Sequence, residues 1–284
     1  MTMPETRSPW LRSTDWLAER LDAPDIVVVD GSYYLSTMNR DAEAEYLAGH
    51  IPGAVRFDID TVKDPDNPLP HMLPRPEVFS AHMRKLGIGD GNTIVVYDGA
   101  GLFAAPRVWW TLRIFGAERV FILDGGLPKW TAEGRPVEGG RVTRRPAHFT
   151  ARFDAGAVRD IGDVKKALVG SITQVVDARP AGRFQGKDPE PRPGLPSGHM
   201  PGALNVPFTS LIADGRLKTA EELKALFKEA GVDPTKPVIT TCGSGVSAAI
   251  LGLALDTAGH KSWGLYDGSW AEWASRPDSD IVKD

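Results

Sequence analysis

The sequence predicts a duplicated α/β protein: two tandem domains, each a parallel sheet flanked by helices. Three observations lead there. The chain repeats itself, because EYLAGHIPGAVRFDI (45–59) matches GLPSGHMPGALNVPF (194–208), IVVYDGAGLFAA (94–105) matches VITTCGSGVSAA (238–249), and LDGGLPKW (123–130) matches YDGSWAEW (266–273). The three matches keep their order and their offsets shrink slowly, from 149 to 144 to 143 residues, as two copies of one fold with small loop differences would. Short β-rich runs alternate with stretches of helical spacing, and the runs are apolar almost throughout, the mark of strands covered on both faces. A length of 284 residues is also long for one core and suits two.

The elements follow in order. DIVVVD (25–30), TIVVYD (93–98) and RVFILD (119–124) read as strands of the first copy, and TQVVD (173–177) and PVITT (237–241) as strands of the second. PEVFSAHMRKLG (76–87) and TAEELKALFKEAG (219–231) carry apolar residues at helical spacing and end in a glycine suited to a C-cap. SAAILGLALDTAG (247–259) is apolar nearly all round, which predicts a buried helix. AEGRPVEGGRVTRRPAHF (132–149) breaks both periodicities with Gly, Pro and Arg and reads as the connection between the copies. The division expected is a first domain over 1–138, a linker over 139–158 and a second domain over 159–284.

Composition narrows the function classes. The chain is 42% hydrophobic and 25% charged, with a net charge of −4 and no basic stripe, which argues against nucleic acid as a partner. No apolar run reaches the roughly 18 residues that a membrane span needs. The first twenty residues hold no apolar h-region, so neither a secretory signal nor a transit peptide is expected. One cysteine forms no internal disulfide, which suits a reducing compartment, and a cytoplasmic location is the expectation.

That single cysteine, Cys242, stands where a predicted strand meets Gly243-Ser244-Gly245-Val246-Ser247 and then a helix. Gly243 and Gly245 permit positive φ, so successive backbone N–H groups can turn inward, and the positive end of the following helix adds to them. Both effects favour a negatively charged sulfur. A lone cysteine is otherwise commonly a small buried hydrophobe. Here the order strand, glycine-rich loop, helix points to a nucleophile.

CGSGVSA, the paired Gly-His-Φ-Pro-Gly-Ala motifs (Φ apolar) and the tandem duplication resemble the rhodanese-type sulfurtransferases, and among them the 3-mercaptopyruvate sulfurtransferase branch, whose loop typically reads Cys-Gly-Ser-Gly-Val-Thr. The resemblance runs from DGSYYL (30–35) to DGSWAEW (267–273); Ser247 replaces the usual Thr and keeps a hydroxyl. It implies two rhodanese-like domains, a persulfide carried on Cys242, no metal or organic cofactor, and a catalytically silent first domain, in which Asp98 takes the place of Cys242. It also implies that Asp60 and His71 assist the loop hydroxyl of Ser244 in a Ser-His-Asp-like relay, with the site between the two domains. A histidine oriented by a carboxylate suits the protons that leave the thiol and reach the pyruvate enolate.

The donor is argued from side chains. Thiosulfate is a dianion, and relatives that use it place basic residues in the loop, as Cys-Arg-Lys-Gly. The loop here is uncharged, which suits the thiol sulfur of 3-mercaptopyruvate. The keto acid's carboxylate then needs a cation, and Arg183 and Arg192 in DARPAGRFQGKDPEPRPG (177–194) match arginines of the family; guanidinium forks bind carboxylates in two-pronged fashion. Arg179 matches too, but beside Asp177 at a strand end it reads as structural. Gly243, Gly245, Val246 and Ser247 complete the substrate-binding loop. The sulfur acceptor expected is cyanide in an assay and thioredoxin or another small thiol in the cell.

Two alternatives stay open: a thiosulfate:cyanide sulfurtransferase, and a non-catalytic sulfur-binding regulatory module. A cysteine phosphatase needs an Arg six residues after the cysteine, where this chain has Ala248. DGAGLFAAPR (98–107) lacks the Lys-Ser/Thr ending of a P-loop, and six scattered histidines show no zinc spacing. His50 and His199 recur in both copies, including the one without a cysteine, so they read as structural, with the imidazole bonded to backbone. Asp30 and Asp177 recur at strand ends and read as loop supports. The eight tryptophans, Trp109 and Trp110 among them, read as core.

Overall fold

The computed structural model describes residues 8–284. The chain divides into two compact units. The first takes in the chain through Asp64, then Leu73–Phe153 and Asp214–Leu217; the second takes in Pro65–Met72, Asp154–Ala213 and Lys218–Asp284.

In the first unit, β1 (Leu11–Arg12), β2 (Ile26–Asp30), β3 (Val55–Arg56), β4 (Thr93–Tyr97) and β5 (Arg119–Leu123) form one sheet in the order β1-β5-β4-β2-β3, parallel throughout. Its helices are α1 (Thr14–Ala18), α2 (Ala42–Ala48), α3 (Pro76–Leu86), α4 (Ala105–Ile114) and α5 (Gly126–Ala132). β2 and β4 are buried at every position, as continuous Val and Ile runs require of strands covered on both faces. Val28, Val95, Leu123 and Trp130 lie in one core cluster, and Phe79 of α3 stacks on Phe115 at 4.1 Å.

The second unit repeats the plan. β6 (Val158–Arg159), β7 (Gln174–Asp177), β8 (Leu204–Asn205), β9 (Ile212–Ala213), β10 (Arg216–Leu217), β11 (Val238–Thr241) and β12 (Trp263–Tyr266) follow in the chain, and five of them form a parallel sheet in the order β6-β12-β11-β7-β8. Its helices are α6 (Ile161–Val169), α7 (Ala181–Phe184), α8 (Ala220–Glu229), α9 (Val246–Thr257) and α10 (Ser269–Trp273). The two sheet orders are the same when β1 is set against β6, β4 against β11 and β5 against β12. This is the duplication seen in the sequence. β9 and β10 are separated by Asp214 and Gly215, both at positive φ. One of the divisions between the units falls at the start of that turn, between Ala213 and Asp214, so that β10 counts with the first unit.

The expected strands and helices appear within a residue or two of their sequence positions. Gly87 caps α3 in the left-handed region, φ 69°, and Gly231 at φ 78° follows the end of α8. α9 is buried at all positions but Ser247 and Thr257. The tryptophans at 109, 110, 130, 270 and 273 are core. The stretch expected to link the copies differs from its simple reading, since residues up to Phe153 belong to the first unit. Phe149 is buried edge-on against Phe79 at 5.6 Å, and the Thr150 amide donates to Asp90 at 2.7 Å. An extended strap needs only a few such anchors, and these leave no periodicity to read.

α9 sits close to β12 because Gly252 has no side chain: a methyl placed there would lie 2.4 Å from the Trp263 ring. Gly252→Ala should therefore lower the unfolding free energy by about 1–3 kcal/mol through overpacking, despite alanine's better helix propensity. Urea unfolding of the variant beside the parent checks this, and equal midpoints would contradict it.

Candidate active site

β11 ends at Thr241, and Cys242 is the first residue past it, 2% exposed. Gly243 and Ser244 follow, then Gly245 at φ 78°, from which α9 starts. That positive φ is what glycine supplies at this turn. Ser244 and Val246 are also buried. The loop is held from the start of α10. The Trp270 amide donates to the Cys242 carbonyl at 2.9 Å, the Ala271 amide to the Gly243 carbonyl at 3.0 Å, and the Cys242 amide to Ser269 Oγ at 3.4 Å. Ser269 itself sits at φ 48° and donates to the Tyr266 carbonyl at 2.9 Å.

The first unit shows what such a turn can hold. Asp98 stands at the position of Cys242, after β4. Its Oδ2 accepts the amides of Phe103, Ala104 and Ala105 at 2.7, 2.9 and 2.8 Å, and its Oδ1 accepts that of Ala100 at 2.9 Å. The Leu127 amide donates to the Asp98 carbonyl at 3.1 Å, as Trp270 does to Cys242. Successive amides at the start of a helix thus converge on a carboxylate that the chain itself provides, an anion nest filled from within.

The second unit carries three arginines on the segment after β7. Arg179 is fully buried and makes a two-pronged pair with Asp177, with contacts of 2.7 and 2.9 Å to Oδ2. It also donates to Glu190 Oε1 at 2.7 Å and to the Gly198 carbonyl at 2.7 Å, and lies over the Trp270 ring at 4.0 Å. Burial by itself would lower its pKa; Asp177 and then Glu190 outweigh that and raise it. This is the structural role expected of Arg179. Arg183, on α7, donates through Nη2 and Nε to Glu190 Oε2 at 2.5 and 3.2 Å. Its guanidinium packs against the cysteine loop: a methyl on Gly243 would come within 3.0 Å of Nη2.

Arg192 donates through Nη2 to His71 Nε2 at 3.3 Å. A guanidinium only donates, so Nε2 is the acceptor in this contact. His71 is buried, at φ 58°, in the segment Pro65–Met72 that packs as part of the second unit although it lies in the first repeat. Asp60 belongs to the first unit, in the turn after β3, where its amide donates to Asp58 Oδ1 at 3.0 Å. It is no part of the group that the second unit assembles by itself. Ser247 is partly exposed at the start of α9.

The recurring histidines behave alike. His50 Nδ1 donates to the Tyr46 carbonyl at 2.8 Å with its ring stacked on Tyr46 at 4.3 Å; His199 Nδ1 donates to the Phe184 carbonyl at 2.9 Å with its ring stacked on Phe184 at 4.0 Å. Asp30 and Asp177 each accept the amide two residues on, at 2.8 Å, which ties down the turn after the strand. Sequence reasoning missed Glu190, Ser269 and the amides of Trp270 and Ala271. The repeat containing YDGSWAEW pointed near the last three; nothing in KDPEPRPG separates Glu190 from an ordinary surface acid.

Among the described residues, no three His, Cys, Asp or Glu side chains gather as a metal site, and no helix is long and apolar enough to cross a membrane. The Rhodanese-like domain matches residues 13–133 and again 160–276, so the chain belongs to the rhodanese-like family. It is 48% identical over 270 residues to the 3-mercaptopyruvate sulfurtransferase of Escherichia coli (strain K12), covering 95% of this chain and 96% of that one. The crystal structure of SseA from Escherichia coli, a 3-mercaptopyruvate sulfotransferase, superposes with a TM-score of 0.86 at 46% identity, over 92% of this chain and 98% of that one. The thiosulfate sulfurtransferase of Bos taurus is 42% identical over 274 residues, 94% of this chain and 92% of that one.

Replacing Asp98 by Ala leaves at least three buried amides without their acceptor. Stability should fall by roughly 2–4 kcal/mol, read from denaturant midpoints, while Asp98→Asn should fall less because one oxygen remains. Equal stability of Asp98→Ala and the parent would show the nest to be empty of consequence.

Proposed function

We propose that this chain moves the sulfur of 3-mercaptopyruvate, through a persulfide on Cys242, to a thiol or cyanide acceptor and releases pyruvate. The observation that carries this reading is the approach of Arg183 to Gly243, where a side-chain methyl would meet Nη2 at 3.0 Å, so that a guanidinium lies beside the residue after Cys242. An α-keto acid with a thiol on its third carbon has this layout, with sulfur at one end and a carboxylate at the other.

Cys242 thiolate attacks the donor sulfur while Arg183 and Arg192 hold the carboxylate. The S–S bond forms as the C–S bond breaks, and the electron pair passes to carbon as pyruvate enolate, which takes up a proton. His71, which contacts Arg192, serves that proton, and Ser244 and Asp60 keep the supporting roles that the family resemblance implies. Gly243, Gly245, Val246 and Ser247 form the floor against which the donor rests. The second nucleophile, thioredoxin or a small thiol in the cell, takes the outer sulfur in a second displacement. The first domain is catalytically silent, because Asp98 carries a carboxylate where sulfur is needed and fills the nest itself. A reducing cytoplasm suits a reaction carried on a single thiol.

The bovine relative's name keeps thiosulfate in view as donor, and identity alone separates the two donors little. The uncharged loop favours mercaptopyruvate.

Incubation with each donor separately, without acceptor, tests this. Intact mass should show one sulfur gained on Cys242 with stoichiometric pyruvate from mercaptopyruvate, and slower gain from thiosulfate; the reverse order would overturn the donor assignment. Cys242→Ser should lose transfer from both donors. Arg183→Ala should raise KM for mercaptopyruvate about tenfold or more, the loss of one charge-assisted contact; an unchanged kcat/KM would remove Arg183 from the site.

A further inference from the structure

We propose that Glu190 is the residue that positions Arg183 and sets the charge the donor meets, and that it thereby makes the site select a donor with one negative charge over dianionic thiosulfate. The inference rests on the reading of Arg183 and Arg192 as the carboxylate-binding pair.

Glu190 is a buried carboxylate, its side chain 2% exposed, shared by two guanidinium groups. Oε1 takes Arg179 and Oε2 takes Arg183. Arg179 is itself fixed by Asp177, by the Gly198 carbonyl and by the face of Trp270. Trp270 in turn holds the Cys242 carbonyl through its amide. Arg183 is therefore tied to the cysteine loop from two sides. One is its own approach to Gly243. The other is the chain of contacts through Glu190, Arg179 and Trp270. A long flexible side chain gains a defined position this way, and Glu190 is the link that supplies it.

The same contacts fix the charge. Asp177, Arg179, Glu190 and Arg183 carry two negative and two positive charges and cancel. Arg192, whose Nη2 lies 3.3 Å from His71 Nε2, adds a single positive charge. These side chains leave one positive charge to face the donor's carboxylate beside the Cys242 thiolate, so each further negative charge on the donor goes unmatched. Thiosulfate carries a second negative charge that this group leaves uncompensated, at a place where burial makes each charge count for more than in water. The uncharged loop after Cys242 does not make up the difference.

The test compares kcat and KM for mercaptopyruvate and for thiosulfate, both with cyanide as acceptor, in the full-length parent, Glu190→Gln and Glu190→Asp. Glu190→Gln keeps the shape and removes the charge. The ratio of kcat/KM for thiosulfate to that for mercaptopyruvate should rise about tenfold or more, chiefly through a lower KM for thiosulfate, and the gain should shrink as salt is added. A ratio within about twofold of the parent's overturns the proposal, as does an equal loss for both donors, the result of a merely structural role. Glu190→Asp keeps the charge but is one methylene too short to reach both guanidinium groups. Its KM for mercaptopyruvate should rise about fivefold with kcat nearly kept and the donor ratio unmoved, since only positioning is lost. An unchanged KM, or a shifted ratio, overturns the proposal by itself, so the test stands even if Glu190→Gln does not fold. Failure of the functional reading appears elsewhere, in the parent enzyme, as a kcat/KM for thiosulfate equal to or above that for mercaptopyruvate.

Discussion

The turn from β11 into α9 rests on backbone amides, and its counterpart in the first unit shows them at work. There, three consecutive N–H groups at the head of α4 close on the carboxylate of Asp98, and a fourth meets its other oxygen. A helix start that faces inward leaves amides that need an acceptor, and a buried anion satisfies several at once. The strand, turn and helix recur in both units. In one copy the chain fills the turn with its own carboxylate. In the other the corresponding residue is the thiol of Cys242, a group able to take on and give up sulfur.

Around this turn some side chains recur in both units and others belong to one alone. His50 and His199 stack on an aromatic ring and donate to the carbonyl of the same residue in both units, whether or not a cysteine is nearby. Asp30 and Asp177 hold the turn after the equivalent strand in each. What belongs to one unit alone is different in kind. Arg179, Glu190 and Arg183 form a buried run of alternating charge from Asp177 to the loop, and Arg192 brings in His71. Breaking one member of such a run strands its partners without counter-ions, so position and charge in the run are coupled.

This coupling bears on how closely related sulfurtransferases divide their donors. Relatives of similar identity are named for mercaptopyruvate and for thiosulfate. A donor's charge can be matched by residues in the loop or by residues behind it. Here the loop is uncharged, and two arginines nearby share one carboxylate.

The sequence by itself determined the duplication, the parallel α/β class, and the long strands and helices, and it singled out Cys242. These are written in local or repeated patterns: continuous Val and Ile runs, helical spacing, capping glycines, and a cysteine between a strand and a glycine turn. The arginines at 183 and 192 were legible through family resemblance to the loop motif. Tertiary structure alone decided the rest. β1, β3, β6 and β8 are two-residue strands, too short to carry a pattern, and exist because a neighbouring strand offers hydrogen bonds. The strap through Phe149 joins the first unit by a few anchors. Pro65–Met72 packs with the second unit, so His71 meets Arg192 across 121 residues of sequence. Glu190 acquires its role only because folding places two guanidinium groups on its two oxygens. Charge pairing and burial depend on distance in space, and a single sequence records only distance along the chain.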